Sequence, residues 1–220
     1  MKLTIVGSAP AWTRRSGNSS SCYLVEHRST RIVLDLGQGS FAQLWQHTKP
    51  ADVAAVVISH MHADHNVDLI PLRHWVKFEN RGYGPALFTP SALRKRFGDF
   101  QADAKFLADF AGESLRPGTF PVGDMTIEAR RVTHIPDSWA FRVSGASGPG
   151  LVYSGDCGDP DDLLPLIRPG DTLLCEAGFG DKPEKVPIHL TAGQAAQAAA
   201  TGGARRLVLT HIQDRTEGDA

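Results

Sequence analysis

After the apolar run over residues 53–59 the chain reads His60-Met61-His62-Ala63-Asp64-His65, three imidazoles and a carboxylate within six residues. Imidazole nitrogen and carboxylate oxygen are the donors that Zn²⁺, Mn²⁺ and Fe²⁺ accept, and so many of them beside a buried strand would be stranded polar groups without a cation. A solvated loop or a helix N-cap accounts for one such histidine, but not for four ligand-type residues in six positions. His60 and His62 alternate as a strand end would present them. Asp64 and His65 follow where the chain turns into the next helix, directed at a second position nearby. The motif therefore predicts a metal centre at the end of a strand and demands a fold that brings further donors to the same place.

Two metals with positions open for substrate need more ligands than one short motif supplies. Three residues answer this. His134 follows the strand-like run over 125–132, Asp156 emerges where the apolar Leu151-Val152-Tyr153 breaks at Gly155, and His211 closes Leu207-Val208-Leu209-Thr210. Each stands at the C-terminal tip of a predicted strand, and in layered α/β folds such tips converge on one edge. Taken singly, each is more often a hydrogen-bonded structural residue.

The coarse pattern supports such a fold. Strand-like runs at 3–6, 22–26, 31–34, 53–59 and 86–89 form a first series, with helices near 41–47, over 66–76 and over 91–111, the last interrupted by Gly98. The serine-rich stretch 16–21 reads as flexible. A second series follows at 125–132, 140–143, 151–154, 172–176 and 206–210, with helices near 160–167 and 191–201, and Leu163, Leu164, Leu166 and Ile167 read as core. Two strand-rich halves, each with helices for an outer face, fit an α/β, four-layer αββα sandwich with the site along one edge.

At 220 residues and 41% hydrophobic, the chain is long enough to bury roughly 70% of its unfolded surface as one domain spanning residues 1–220. Three cysteines without regular spacing, and no charged-then-apolar leader before Leu3, fit a reducing cytoplasm. No apolar stretch approaches the roughly 20 residues that span a bilayer, so no membrane partner is expected. The net charge of −1 argues against affinity gained by neutralising many phosphates, while a small anionic substrate stays compatible because metal ions supply their own positive field. The basic clusters Arg14-Arg15, Arg94-Lys95-Arg96, Arg130-Arg131 and Arg205-Arg206 read as solvated faces.

The order HxHxDH, then His, then Asp, then His resembles that of the metallo-β-lactamase superfamily over residues 3–211, and Asp35 in Leu34-Asp35-Leu36-Gly37 is similar to the family's early acidic turn. The resemblance implies that His60, His62 and His134 hold one metal, that Asp64, His65 and His211 hold a second, and that Asp156 bridges them, with zinc first and manganese or iron as alternatives. Asp35 would orient a ligand imidazole through its other N–H; a turn-capping role stands equally beside that one. His189-Leu190-Thr191, 22 residues before His211, is similar to the HxT motif of the ribonuclease Z-like branch, and Cys175-Glu176 to the strand end that carries its glutamate. His189 and Glu176 are thereby expected in phosphate contact and leaving-group protonation, with helix entry beside an N-cap at Thr191 as the plainer role for His189.

Two features depart from that branch. His134 and Asp156 are only 22 positions apart, too close for a tRNA-clamping arm, so folded RNA is not the expected substrate; the compact interval resembles small bacterial ribonuclease Z-like proteins, some of which hydrolyse cyclic nucleotides. The chain also continues only nine residues past His211, which would leave a sheet edge for a second subunit, a homodimer, to cover. The expected reaction is two-metal hydrolysis of a small phosphodiester, with Asp64 orienting the attacking water. The alternatives are a ribonuclease Z-like RNA 3′-processing endonuclease and a thioester or lactone hydrolase on the same metals; a non-hydrolytic di-iron protein and a catalytically silent nucleic-acid-binding member rank below these.

Overall fold

The computed structural model describes residues 1–80, 84–180, 182 and 186–214; the end of the polar tail, residues 215–220, lies outside the described residues. Strands β1 (Lys2–Gly7), β2 (Cys22–His27), β3 (Thr30–Leu34), β4 (Ala55–Val57) and β5 (Ala86–Phe88) form one sheet in that order. Strands β6 (Gly118–Val122), β7 (Met125–Arg131), β8 (Trp139–Ser144), β9 (Leu151–Tyr153), β10 (Thr172–Glu176) and β11 (Arg206–Thr210) form the other, ordered β11-β10-β9-β8-β7-β6. The β3-β4-β5 and β9-β10-β11 portions are parallel, so their C-terminal tips emerge together.

Alternation along the strands builds three apolar layers. On β2, Tyr23 and Val25 face the second sheet and pack with Ile127, Trp139, Phe141 and Tyr153, while Cys22 and Leu24 face helices. Because both faces are covered, these strands read as unbroken apolar runs rather than as alternating ones. Helices α1 (Ser40–Leu44), α3 (Leu69–Phe78) and α4 (Leu93–Phe100) cover the outside of the first sheet through Phe41, Leu69, Leu72, Val76 and Phe97. Helix α5 (Ala192–Gly202), a 3₁₀ turn at Pro160–Leu163 and the residues just after it cover the second through Ala195, Ala198, Leu163 and Leu166. The layers run α-β-β-α, as the sequence predicts. No helix among the described residues is long and apolar enough to cross a membrane.

Several local expectations are corrected. The helix expected over 66–76 is two, α2 (Ala63–Asn66) and α3, because the Asp68 amide bonds Leu36 O (3.1 Å) and leaves the helical ladder. The helix expected over 91–111 is only α4. Gly98 lies inside it, and its missing Cβ lets the returning chain pass with Ala104 Cα about 3.1 Å from where a Cβ would stand. Arg94, expected on a solvated face, donates to the carbonyls of Leu107 (2.7 Å) and Leu87 (3.2 Å) and holds those turns. The 160–167 helix is replaced by the 3₁₀ turn, and the edge strand β6, hidden in the sequence by Pro121, escaped the strand pattern. The stretch read as flexible is anchored at its end: Ser19, Ser20 and Ser21 are buried, and the Gly37 amide bonds Ser21 O at 3.0 Å.

Candidate metal centre

Every candidate site residue named from the sequence reaches one edge of the sandwich. His60 and His62 lie in the loop beyond β4 rather than on the strand itself; Asp64 and His65 sit on α2. His134 follows β7, Asp156 follows β9, Glu176 ends β10, His189 precedes α5 and His211 follows β11. The motif loop fits because Gly37 lacks a Cβ, which would collide with the Asp64 carbonyl.

The expected metal donors form two groups around Asp156, and His189 stands with Asp156 and His211 in a third. His62 Nδ1 lies 3.0 Å from His60 Nε2 and 3.2 Å from His134 Nε2, and those two nitrogens lie 3.6 and 3.7 Å from Asp156 Oδ2. On the other side, Asp64 Oδ2 is 3.2 Å from His211 Nε2 and 3.6 Å from His65 Nε2, and His65 Nε2 is 3.3 Å from Asp156 Oδ1. Each group keeps its donor atoms within 4.8 Å of one another. Both Asp156 oxygens and His65 Nε2 are buried without a well-aligned hydrogen-bond partner among the described residues. Orphaned atoms of these types facing one another are what cations would satisfy, so the residues present fit a pair of metal ions.

The electrostatics agree. Burial lowers the imidazole pKa of His60 well below the usual histidine range, lowers His62, and brings His134 down to about 4, which keeps their lone pairs available. Burial opposes ionisation of Asp64 and Asp156, but the surrounding imidazoles, His211 foremost, override it and hold both carboxyls low. His65 loses hydration too, yet the carboxylates of Asp156 and Asp35 on either side push its pKa well up.

Ring orientations are set from behind. Asp35, in a left-handed conformation (φ 59), accepts from His65 Nδ1 (2.7 Å), Tyr153 Oη (2.6 Å), Ser59 Oγ (2.7 Å) and the Ser59 amide (2.6 Å). Of the two roles open for Asp35, the geometry favours orienting an imidazole. Ser59 Oγ meets His60 Nδ1 at 3.0 Å, and His134 Nδ1 meets Ile188 O at 2.6 Å, so both rings present Nε2 to the site. Asn66 Nδ2 donates to the carbonyls of His60 (3.1 Å) and His62 (2.7 Å) and braces the loop. The sequence assigned no role to Ser59, Asn66, Tyr23 or Tyr153. A tyrosine inside an otherwise aliphatic strand was the available signal, since a buried hydroxyl must find a partner.

His189 Nδ1 stands 3.0 Å from Glu176 Oε1 and 3.8 Å from Asp156 Oδ2. Burial would lower its pKa, but the hydrogen bond and charge of Glu176 prevail and raise it to about 9. Glu176 is fixed in turn by the amides of Cys157 (3.0 Å), Leu190 (3.2 Å) and Gly178 (2.7 Å). Thr191 does cap α5, in a capping box with Gln194, so the helix-entry reading of this segment holds for Thr191, while His189 turns to Glu176.

Residues 30–212 match the β-lactamase superfamily domain, and the chain belongs to that superfamily. It is a metallo-hydrolase of the metallo-β-lactamase fold. It is 34% identical to the Mycobacterium tuberculosis protein Rv1339, over 96% of this chain and 81% of that one. Its structure is similar to that of the metallo-β-lactamase fold protein YhfI from Bacillus subtilis, with a TM-score of 0.82 at 22% identity over 96% of this chain and 86% of the other. The short form of human tRNase Z is similar with a TM-score of 0.80 at 23% identity, covering 99% and 95%. These two structural likenesses carry the fold.

Proposed function

We propose that this chain hydrolyses small phosphodiesters, cyclic nucleotides among them, with two divalent metal ions held by His60, His62, His134, Asp64, His65, His211 and the shared Asp156, zinc first and manganese or iron as alternatives. Such ions, when bound, acidify water and polarise a phosphoryl oxygen. The protein's own residues have distinct tasks. Asp156 has its two oxygens between the donor groups and sets their spacing. Asp64, held ionised beside His211 at 3.2 Å, is the carboxylate able to orient the attacking water.

The observation that carries the reading is His189 paired with Glu176 beside Asp156. A protonated imidazole here can hold a phosphoryl oxygen and deliver a proton to a departing alkoxide. A thiolate leaves without that help, so the pair favours diester over thioester chemistry. Support for a small substrate comes from the interval between His134 and Asp156, where β8 and β9 leave only short turns, the longest being residues 145–150, too short for an extended arm. The likeness to tRNase Z favours a second reading, RNA 3′ processing.

Metal analysis should be combined with a screen of bis-p-nitrophenyl phosphate, 2′,3′- and 3′,5′-cyclic nucleotides, a lactone and a pre-tRNA. The expected result is metal-dependent diester turnover with little on the lactone or the pre-tRNA. Efficient, site-specific removal of a tRNA 3′ trailer would replace this reading with the second.

A further inference from the structure

Beyond His211 the chain runs Ile212-Gln213-Asp214, and the loop between β1 and β2 is fastened to it. The His211 amide donates to Ser8 O at 3.1 Å. The Asp214 carboxylate accepts from the Arg14 amide (3.1 Å) and the Thr13 hydroxyl (3.4 Å), and lies 3.6 and 3.5 Å from the Arg14 and Arg15 guanidinium groups. The Asp214 side chain is only 8% exposed, so these bonds fix the loop rather than merely decorate it. Trp12, between these anchors, is 67% exposed.

A single exposed tryptophan needs no explanation by itself. This one, however, walls a cavity of about 250 Å³ with Pro10, Ala11, Gln213 and Asp214. That lies just under the roughly 300–1,000 Å³ of clefts that take a whole drug-sized ligand, a size for one ring system rather than folded RNA. Gln213 is two residues beyond His211, so at most about 7 Å of extended chain separates the cavity wall from a metal ligand. Apolar walls from Pro10 and Trp12 with polar ones from Gln213 and Asp214 match a flat heteroaromatic ring with a polar edge.

We propose that this cavity receives the nucleobase of a nucleoside-bearing phosphodiester whose phosphate sits at the metal centre, with Trp12 as the stacking platform. The inference rests on the phosphodiester reading for its kinetic consequences and on Trp12 alone for its binding consequences. Stacking uses the π-face that every base has, so it separates base-bearing from base-free substrates and discriminates little among bases.

Trp12→Ala and Trp12→Phe, compared with the wild type in the metal-loaded protein, test it in two arms. Calorimetry measures affinity for adenosine 5′-monophosphate and for ribose 5-phosphate, and kinetics compare 2′,3′-cyclic AMP with the cyclic phosphate of methyl riboside. Trp12→Ala should weaken nucleotide binding and raise KM for the cyclic nucleotide roughly 5- to 100-fold, the base-free ligands should move by no more than about twofold, and Trp12→Phe should recover most of the loss. Equal effects on base-bearing and base-free ligands, no effect on either, or no nucleotide binding by the wild type would overturn the proposal. If the wild type hydrolyses no diester, the phosphodiester reading fails, and the two binding measurements still decide whether Trp12 is a base platform.

Discussion

Tyr23 and Tyr153 meet between the two sheets with ring centroids 4.9 Å apart, and each reaches across to the sheet opposite its own. Tyr23 on β2 shares a 2.7 Å hydrogen bond with Thr210 at the end of β11, and Tyr153 on β9 donates at 2.6 Å to Asp35 beyond β3. Thr210 precedes His211 and Asp35 holds His65, so one buried aromatic pair braces two donors of the same candidate metal group.

Tyr153→Phe keeps the ring and removes one of the donors that fix Asp35. Metal affinity at the Asp64, His65, His211 group should fall about ten- to a hundredfold, while the His60, His62, His134 group keeps its own. Metal titration with stoichiometry resolves the two. Unchanged affinity at both groups would reduce the pair to packing.

Asp156→Ala removes the carboxylate common to both groups. About two ions per chain should fall to one or fewer, with activity lower by orders of magnitude. Elemental analysis of the purified variant checks the first part, and undiminished activity in a chelated wild-type sample would exclude the mechanism altogether.

His189→Ala should keep its metals and lose roughly 10²–10⁴ in rate on a nucleoside diester, where an alkoxide must be protonated. The loss should be much smaller when p-nitrophenolate leaves. Equal losses on both substrates would make His189 a binding residue, and loss of metal would make it a structural one.

Away from the metal centre, Asp171 offers a test of stability against pH. Its side chain is 1% exposed, and burial opposes ionisation. Arg142 at 2.7 and 3.0 Å and the amides of Gly150 (2.6 Å) and Arg168 (3.0 Å) override this and hold the carboxyl below its ordinary value. A depressed folded pKa contributes stability that is complete above the unfolded value of about 3.9 and lost as pH falls through the lower folded one. Asp171→Asn should therefore cost about 3–5 kcal/mol in urea unfolding at neutral pH, because Arg142 is left without its partner, and the gap to wild type should narrow below about pH 4. A gap that is the same at both pH values would show that the carboxylate's charge is not what stabilises the fold.

The sequence by itself determined the candidate donors and the layers. His60, His62, Asp64, His65, His134, Asp156 and His211 are legible because donor type is fixed by residue identity and strand-end position by adjacent apolar residues. The strand series was legible for the same reason, and what was lost was local: Pro121 hid β6, and contacts with Leu36, Asp103 and Ala104 shortened or split helices. Only the tertiary structure supplied the partners of Asp35 and His189, because Tyr153 lies 118 residues from Asp35 and Glu176 lies 13 from His189. Such partners share no periodicity with the residues they hold; hydrogen bonds of 2.6–3.0 Å exist only once sheet packing and strand register have brought the chain together.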